Sequence, residues 1–202
     1  MLRLLVEEPD WERVVSLARR RVGWRHPRLE ERLIDFERLQ EAEPLACDAV
    51  FCGLGTTIGT AGSKRAFARV DLGYVRDVAV AARAGGAEQI LLVSSVGADP
   101  DSRNFYLSVK GRAEAAVAAA GFPSVRIFQP SLLLGERPDS RPLERAAQLP
   151  AKLVGFALVG PLERYRAVAV STVAAAMVVA ARDPLPGAHV HTHRASAALA
   201  PT

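Results

Sequence analysis

The strongest constraint on the fold is an alternation. Short apolar runs at Val14–Leu17, Leu33–Ile34, Ala46–Leu54, Ile90–Val93 and Val125–Phe128 are each closed by polar or glycine residues. Stretches with helical periodicity separate them. Between Lys64 and Ala84, the residues Phe67, Val70, Tyr74, Val75, Val78 and Ala82 recur at helical spacing, and Gly85-Gly86 ends the pattern as a C-cap. A second helix runs from Tyr106 through the alanine-rich stretch to Gly121, and a third from Ser171 to Arg182. Strands that read as continuous apolar runs are buried on both faces, which requires helices above and below a mainly parallel sheet. The chain is therefore expected to be α/β, a doubly wound parallel sheet, in one domain over residues 1–202. Such sheets bind ligands at the carboxyl ends of their strands. Arg19, Asp35, Gly53, Ser95 and Pro130 all fall at predicted strand ends.

The stretch from Ile90 to Gly111 carries the chemistry. A buried strand leads to Ser94-Ser95, a polar loop follows, and Tyr106 and Lys110 stand four residues apart on one helix face. A phenol that gives a proton, an ammonium that makes it more acidic and a hydroxyl that holds a carbonyl oxygen are the groups carbonyl reduction needs. Either Ser94 or Ser95 can supply the hydroxyl.

Composition narrows the partners. Net charge is +4, with arginines clustered at Arg19–Arg21, Arg25 and Arg28, but no nucleic-acid-binding motif accompanies them. The longest apolar run, within Ala167–Ala181, is interrupted by Ser171 and Thr172 and is too short to span a membrane. Residues Met1–Glu8 carry Arg3, Glu7 and Glu8, unlike a signal peptide, so a cytoplasmic protein is expected. Cys47 and Cys52 read as free thiols. His189, His191 and His193 alternate and share a strand face, but with no carboxylate or cysteine nearby they read as a polar edge strand, and no metal site is expected.

Taken together, Ile34-Asp35-Phe36-Glu37-Arg38-Leu39, Phe51-Cys52-Gly53-Leu54-Gly55-Thr56-Thr57, Val70-Asp71-x-x-Tyr74-Val75, Ser94-Ser95-Val96-Gly97-Ala98-Asp99 and Tyr106-Leu107-x-Val109-Lys110-Gly111 resemble the atypical branch of the short-chain dehydrogenase/reductases, the Tat-interacting-protein type. The resemblance covers about residues 14–141. It implies an NADP-dependent oxidoreductase moving hydride to or from a carbonyl or alcohol carbon of a small-molecule substrate. Tyr106 would be the general acid/base, Lys110 its activator and ribose ligand, and Ser95 the holder of the substrate oxygen. Arg19 and Arg20 would take the 2′-phosphate that distinguishes NADP from NAD. Asp35 and Phe36 would flank the adenine, Gly53, Leu54, Gly55 and Thr56 would let backbone approach the cofactor, and Pro130 and Ser131 would line the nicotinamide. Specificity would lie in a small segment at about 132–166, which names no substrate class. Oligomeric state stays open. One departure is large: the first strand of the family and its Gly-x-x-Gly-x-x-Gly phosphate turn are missing. We read this as an N-terminal truncation that opens the middle of the sheet and weakens dinucleotide binding. The alternative function is a non-catalytic, nucleotide-sensing or partner-binding regulator on the same fold.

Overall fold

The computed structural model describes residues 1–41, 44–131, 133–134, 168–192, 195 and 198–199. Four parallel strands form the principal sheet in the order β3 (Ala49–Cys52), β4 (Gln89–Val93), β5 (Ser124–Phe128) and β8 (Gly187–His191). A separate parallel pair joins β1 (Val14–Ala18) to β2 (Leu29–Leu33). A third, two-residue pair joins β6 (Leu133–Leu134) to β7 (Val168–Ala169).

Burial on both faces follows from the residue pattern. In β4, Ile90 and Leu92 face a layer built by α4 (Val75–Ala84) and α5 (Phe105–Ala118), where Val75, Ala79, Ala82, Ala113 and Val117 meet Val125 and Ile127 of β5. Leu91 and Phe128 point the other way, onto Val173, Ala176 and Met177 of α6 (Val170–Arg182). Ile90, Leu91 and Leu92 are all essentially inaccessible, and burying a side chain of this size stabilises the fold by about 1.5–3 kcal/mol. The α/β, doubly wound architecture is therefore as expected. On the α6 side, α1 (Leu2–Glu7) seats Leu5 and Val6 against Val14 and Val178.

The segment read as one helix from Lys64 to Ala84 is continuous but not uniform. After α2 (Ile58–Ala61), Ser63 caps α3 (Lys64–Ala68) by accepting the Ala66 N–H at 3.1 Å. Residues Arg69–Tyr74 then form a π-helical turn that leads into α4. Such widened turns shift the side chains that follow and recur at functional sites.

Two strands differ from their expected bounds, each for its own physical reason. The second strand is Leu29–Leu33 rather than Leu33–Ile34. It is an edge strand whose sequence, Leu-Glu-Glu-Arg-Leu, is mostly polar, so no apolar run marks it. Glu31 accepts the Val22 N–H, and Glu30 meets Arg13 and Arg32. The third strand begins at Ala49 rather than Ala46, because the backbone before it is bonded elsewhere. The Leu45 N–H donates to Ala81 O of α4 at 3.1 Å. Leu143–Leu158 also reads from the sequence as helical around Pro150, and that stretch lies outside the described residues.

The β1–β2 pair and the four-stranded sheet share no ladder hydrogen bond. Between β1 and β3 lies a cavity of about 880 Å³.

Candidate functional site

The strand ends gather the expected residues on one edge of the sheet. The Gly53–Thr56 turn follows β3, Ser94-Ser95 follows β4, and Gln129-Pro130-Ser131 follows β5. Pro130 O accepts the Val96 N–H at 2.9 Å, which locks the loop after β4 to the loop after β5. Asn104 caps α5 through the Leu107 N–H at 3.2 Å, so the helix begins one residue before Tyr106.

Lys110 is buried one turn further along α5, and its Nζ lies 2.7 Å from Asp71 Oδ1. Asp71 is also buried, on the π-helical turn, and its Oδ2 accepts the Thr56 N–H at 2.8 Å. Asp71 Oδ1 has no aligned hydrogen bond, so its link to Lys110 is a charge contact. Gly55 sits against this pair: a Cβ there would come within 3.3 Å of Asp71 Oδ1 and 3.6 Å of Lys110 Nζ. The turn after β3, the π-helical turn and α5 therefore meet at one carboxylate. From the sequence, Asp71 reads as a residue that orients its helix against the sheet. The signal that could have found it was an acidic residue inside an otherwise apolar helical stretch.

Tyr106 is partly exposed, and its ring packs on Phe67 with centroids 5.6 Å apart. The two serines part company. Ser94 is buried and donates its hydroxyl to Glu114 of α5, and Gln129 donates to the same carboxylate at 3.0 and 3.1 Å. Burial pushes the Glu114 carboxyl above its ordinary range, against the pull of its Ser94 and Gln129 hydrogen bonds. Ser95 is only partly buried. Ser94 ties the strand end to α5, and Ser95 is the more accessible hydroxyl.

At the other end of the edge, Arg19 and Arg20 are exposed just beyond β1, and Asp35 is exposed beyond β2. Phe36 corrects its expected role. It is 4% exposed, stacked on Tyr74 at 5.5 Å and packed with Leu39 and Val78, so its ring is a core element rather than a free face for adenine. Tyr74 donates to Glu37, which Arg69 holds at 2.9 Å, and Arg69 reaches Asp77 at 3.2 Å. Burial, followed by the hydrogen bond to Glu37, raises the Tyr74 phenol above its ordinary value.

The histidines fit an edge strand. His191 stacks on Phe128 at 4.7 Å and meets Arg126, while His189 reaches Pro186 O at 2.8 Å; His193 lies outside the described residues. The described residues hold no cluster able to ligate a metal. Cys47 and Cys52 are free thiols.

Comparison with known proteins places this geometry. No family model matches the chain. Over 153 residues it is 37% identical to Protein HTATIP2 of Rattus norvegicus, covering 73% of this chain and 63% of that protein. It is 42% identical over 103 residues to the mitochondrial protein FMP52-1 of Scheffersomyces stipitis, covering 51% of this chain and 46% of the relative. The solved structure of MoeE5 in complex with UDP-glucose and NAD superposes with a TM-score of 0.63 at 17% identity, covering 88% of this chain and 66% of that one. WbmH of Bordetella bronchiseptica, in complex with NAD+, superposes with a TM-score of 0.63 at 16% identity, covering 95% and 70%. The chain is a homologue of HTATIP2 and FMP52 with the atypical short-chain dehydrogenase/reductase fold.

The HTATIP2-like chain spans about half to two thirds of the length of these two relatives. The relatives also overturn one expectation. Fungal FMP52 proteins are named mitochondrial, so the cytoplasmic placement read from the first residues does not hold. No helix among the described residues is long and apolar enough to cross a membrane.

Proposed function

We propose that this chain is the catalytic-side portion of a nicotinamide-dependent oxidoreductase acting on a carbonyl or alcohol, with NADP preferred over NAD. The observation that carries the reading is the convergence at Asp71: the Gly55-Thr56 turn and Lys110 meet on it, on the strand edge that also presents Ser95 and Tyr106.

The residues fit one end of the cofactor better than the other. Lys110 has donors beyond its single contact with Asp71, and Gly55 leaves backbone open beside it, which suits a ribose. For a pyrophosphate the described residues offer no glycine turn opening a long helix. α1 starts without a side-chain cap, and α2 has four residues. A bound nicotinamide would supply or accept the hydride.

The remaining chemistry belongs to the chain. Ser95 donates a hydrogen bond to the substrate oxygen. Tyr106 transfers its phenolic proton to that oxygen in reduction and takes it back in oxidation. Lys110 lies one helical turn along α5 from Tyr106. Asp71 holds Lys110 in place. Arg19 and Arg20 offer two exposed guanidinium groups where a 2′-phosphate would lie.

Titrating the chain with NADPH and following reduction of an aldehyde panel tests the reading. Tyr106→Phe should abolish turnover and leave NADPH affinity within about twofold. Turnover unchanged in Tyr106→Phe would remove the phenol from the mechanism. A second reading is a partner-binding regulator with little chemistry. NADPH binding without any turnover by the parent chain would support it.

A further inference from the structure

A buried guanidinium on β5 has no carboxylate bonded to it. Arg126 is 4% exposed and makes no ion pair among the described residues. Its Nη2 donates to Asp183 O at the end of α6, at 2.5 Å, where the negative end of the helix dipole offsets part of the charge. Its Nε is buried without a partner among the described residues. Its Nη1 lies 3.1 Å from His191 Nε2 on β8.

That last contact dictates a protonation state. A guanidinium carries donors only, so His191 Nε2 must offer a lone pair, which places the imidazole proton on Nδ1. The neutral ring stacks on Phe128 with centroids 4.7 Å apart and planes 14° apart. Protonation would remove the acceptor and set an imidazolium against the guanidinium. His189, on the same strand, opposes that charge as well, while the Asp183 carboxylate acts on Arg126 instead. The Phe128 face would welcome a cation, but that attraction is weak beside a like charge at 3.1 Å. Burial, then Arg126, then His189 hold the His191 pKa below its ordinary value.

The place of this contact gives it reach. β8 pairs only with β5 among the described strands, and an edge strand opens at less cost than the strands inside a sheet. At the end of β8, His191 O accepts the Gln129 N–H at 2.9 Å. The Gln129 side chain holds Glu114 on α5, and Pro130 O holds the Val96 N–H. The loop after β5, on the edge of the candidate site, therefore hangs partly on β8.

We propose that Arg126 and His191 form an acid-released latch, in which the neutral imidazole pins the end of β8 to the sheet and protonation frees it together with the Gln129–Ser131 loop. The opened strand takes a proton at the ordinary histidine pKa of about 6.5, and the closed strand takes it less readily. Opening is therefore insensitive to pH above that value and grows by up to about tenfold per pH unit below it. The latch stands without the proposed reaction; only its effect on the site rests on that reading.

The test uses the full chain without nucleotide. Amide exchange at Gln129, corrected for the intrinsic rate, is followed by NMR at pH 7.5 and 5.5 in the parent and in His191→Gln, which keeps an acceptor for Arg126 but takes no proton. Glu114 faces the same loop from α5 and titrates in the opposite sense, so the ratio of the two proteins is the measure. That ratio of protection should fall at least about threefold at the lower pH. The Ser94 amide, bonded to Phe128 O inside the sheet, should keep its ratio. In a second arm, Arg126→Met replaces the buried cation by an apolar chain, and the His191 ring titration should move up by about half a pH unit or more. A Gln129 ratio that stays constant, an equal loss at Ser94, or a His191 midpoint that does not rise in Arg126→Met would each overturn the latch.

Discussion

Asp71→Asn is the sharpest probe of the site. Asparagine keeps the shape of the side chain and an oxygen for the Thr56 N–H, so the change removes mainly the charge. Lys110 then stays 8% exposed with its counter-ion gone. Removing one partner of a buried pair costs about 3–5 kcal/mol, because the remaining ion has lost both water and partner. For a chain of this size that is a fall in Tm of about 6–20 °C. It is also a large share of a total stability of about 5–15 kcal/mol. Urea unfolding followed by circular dichroism measures the loss. The double variant Asp71→Leu/Lys110→Met separates charge from shape: it should recover at least half the loss, since an apolar pair of similar volume is well tolerated where a lone charge is not. A loss below about 1 kcal/mol in Asp71→Asn, or additive single losses in the double-mutant cycle, would refute the pairing.

Gly111→Ala should destabilise strongly. A Cβ there would sit 2.3 Å from the backbone of Asp99 and Pro100, which cannot retreat without moving the loop that leads to Tyr106; a Tm unchanged within 2 °C, at about 2–4 °C per kcal/mol, would show that the loop gives way. Glu114 sets a pH dependence. Its folded carboxyl is raised above its unfolded value by burial, so the folded state binds the proton more tightly, and the Glu114 contribution to stability falls as pH rises from the ordinary carboxylate range through the raised value. Glu114→Gln keeps an acceptor for Ser94 and should flatten that slope; urea midpoints measured from pH 4 to 8 with parallel slopes for both proteins would count against it. Replacing Arg19 and Arg20 together by alanine should weaken NADPH at least tenfold, with NADH changed by less than twofold, if they hold the 2′-phosphate; equal loss for both nucleotides by titration would assign them elsewhere.

Much of this protein was decided by local pattern. Continuous apolar runs at Ile90–Val93 and Val125–Phe128 could only be strands covered on both faces, and that fixed a doubly wound sheet and the edge on which Ser95, Gly55 and Pro130 stand. The spacing of Tyr106 and Lys110 on a capped helix was equally legible, because helical geometry depends on neighbours in sequence. Long-range packing decided the rest. The edge strand Leu29–Leu33 is polar and carries no apolar signature. Phe36 looked available for a ligand, and only the stack on Tyr74 shows that the core claims it. Ser94 and Ser95 are interchangeable on paper until Glu114, twenty residues away from Ser94, binds one of them. Asp71 acquires its meaning from Lys110 across two helices, a relation between charges that no local spacing encodes. The cavity between β1 and β3 has the same origin: its lining comes from residues far apart in sequence and exists only once the strands are in place.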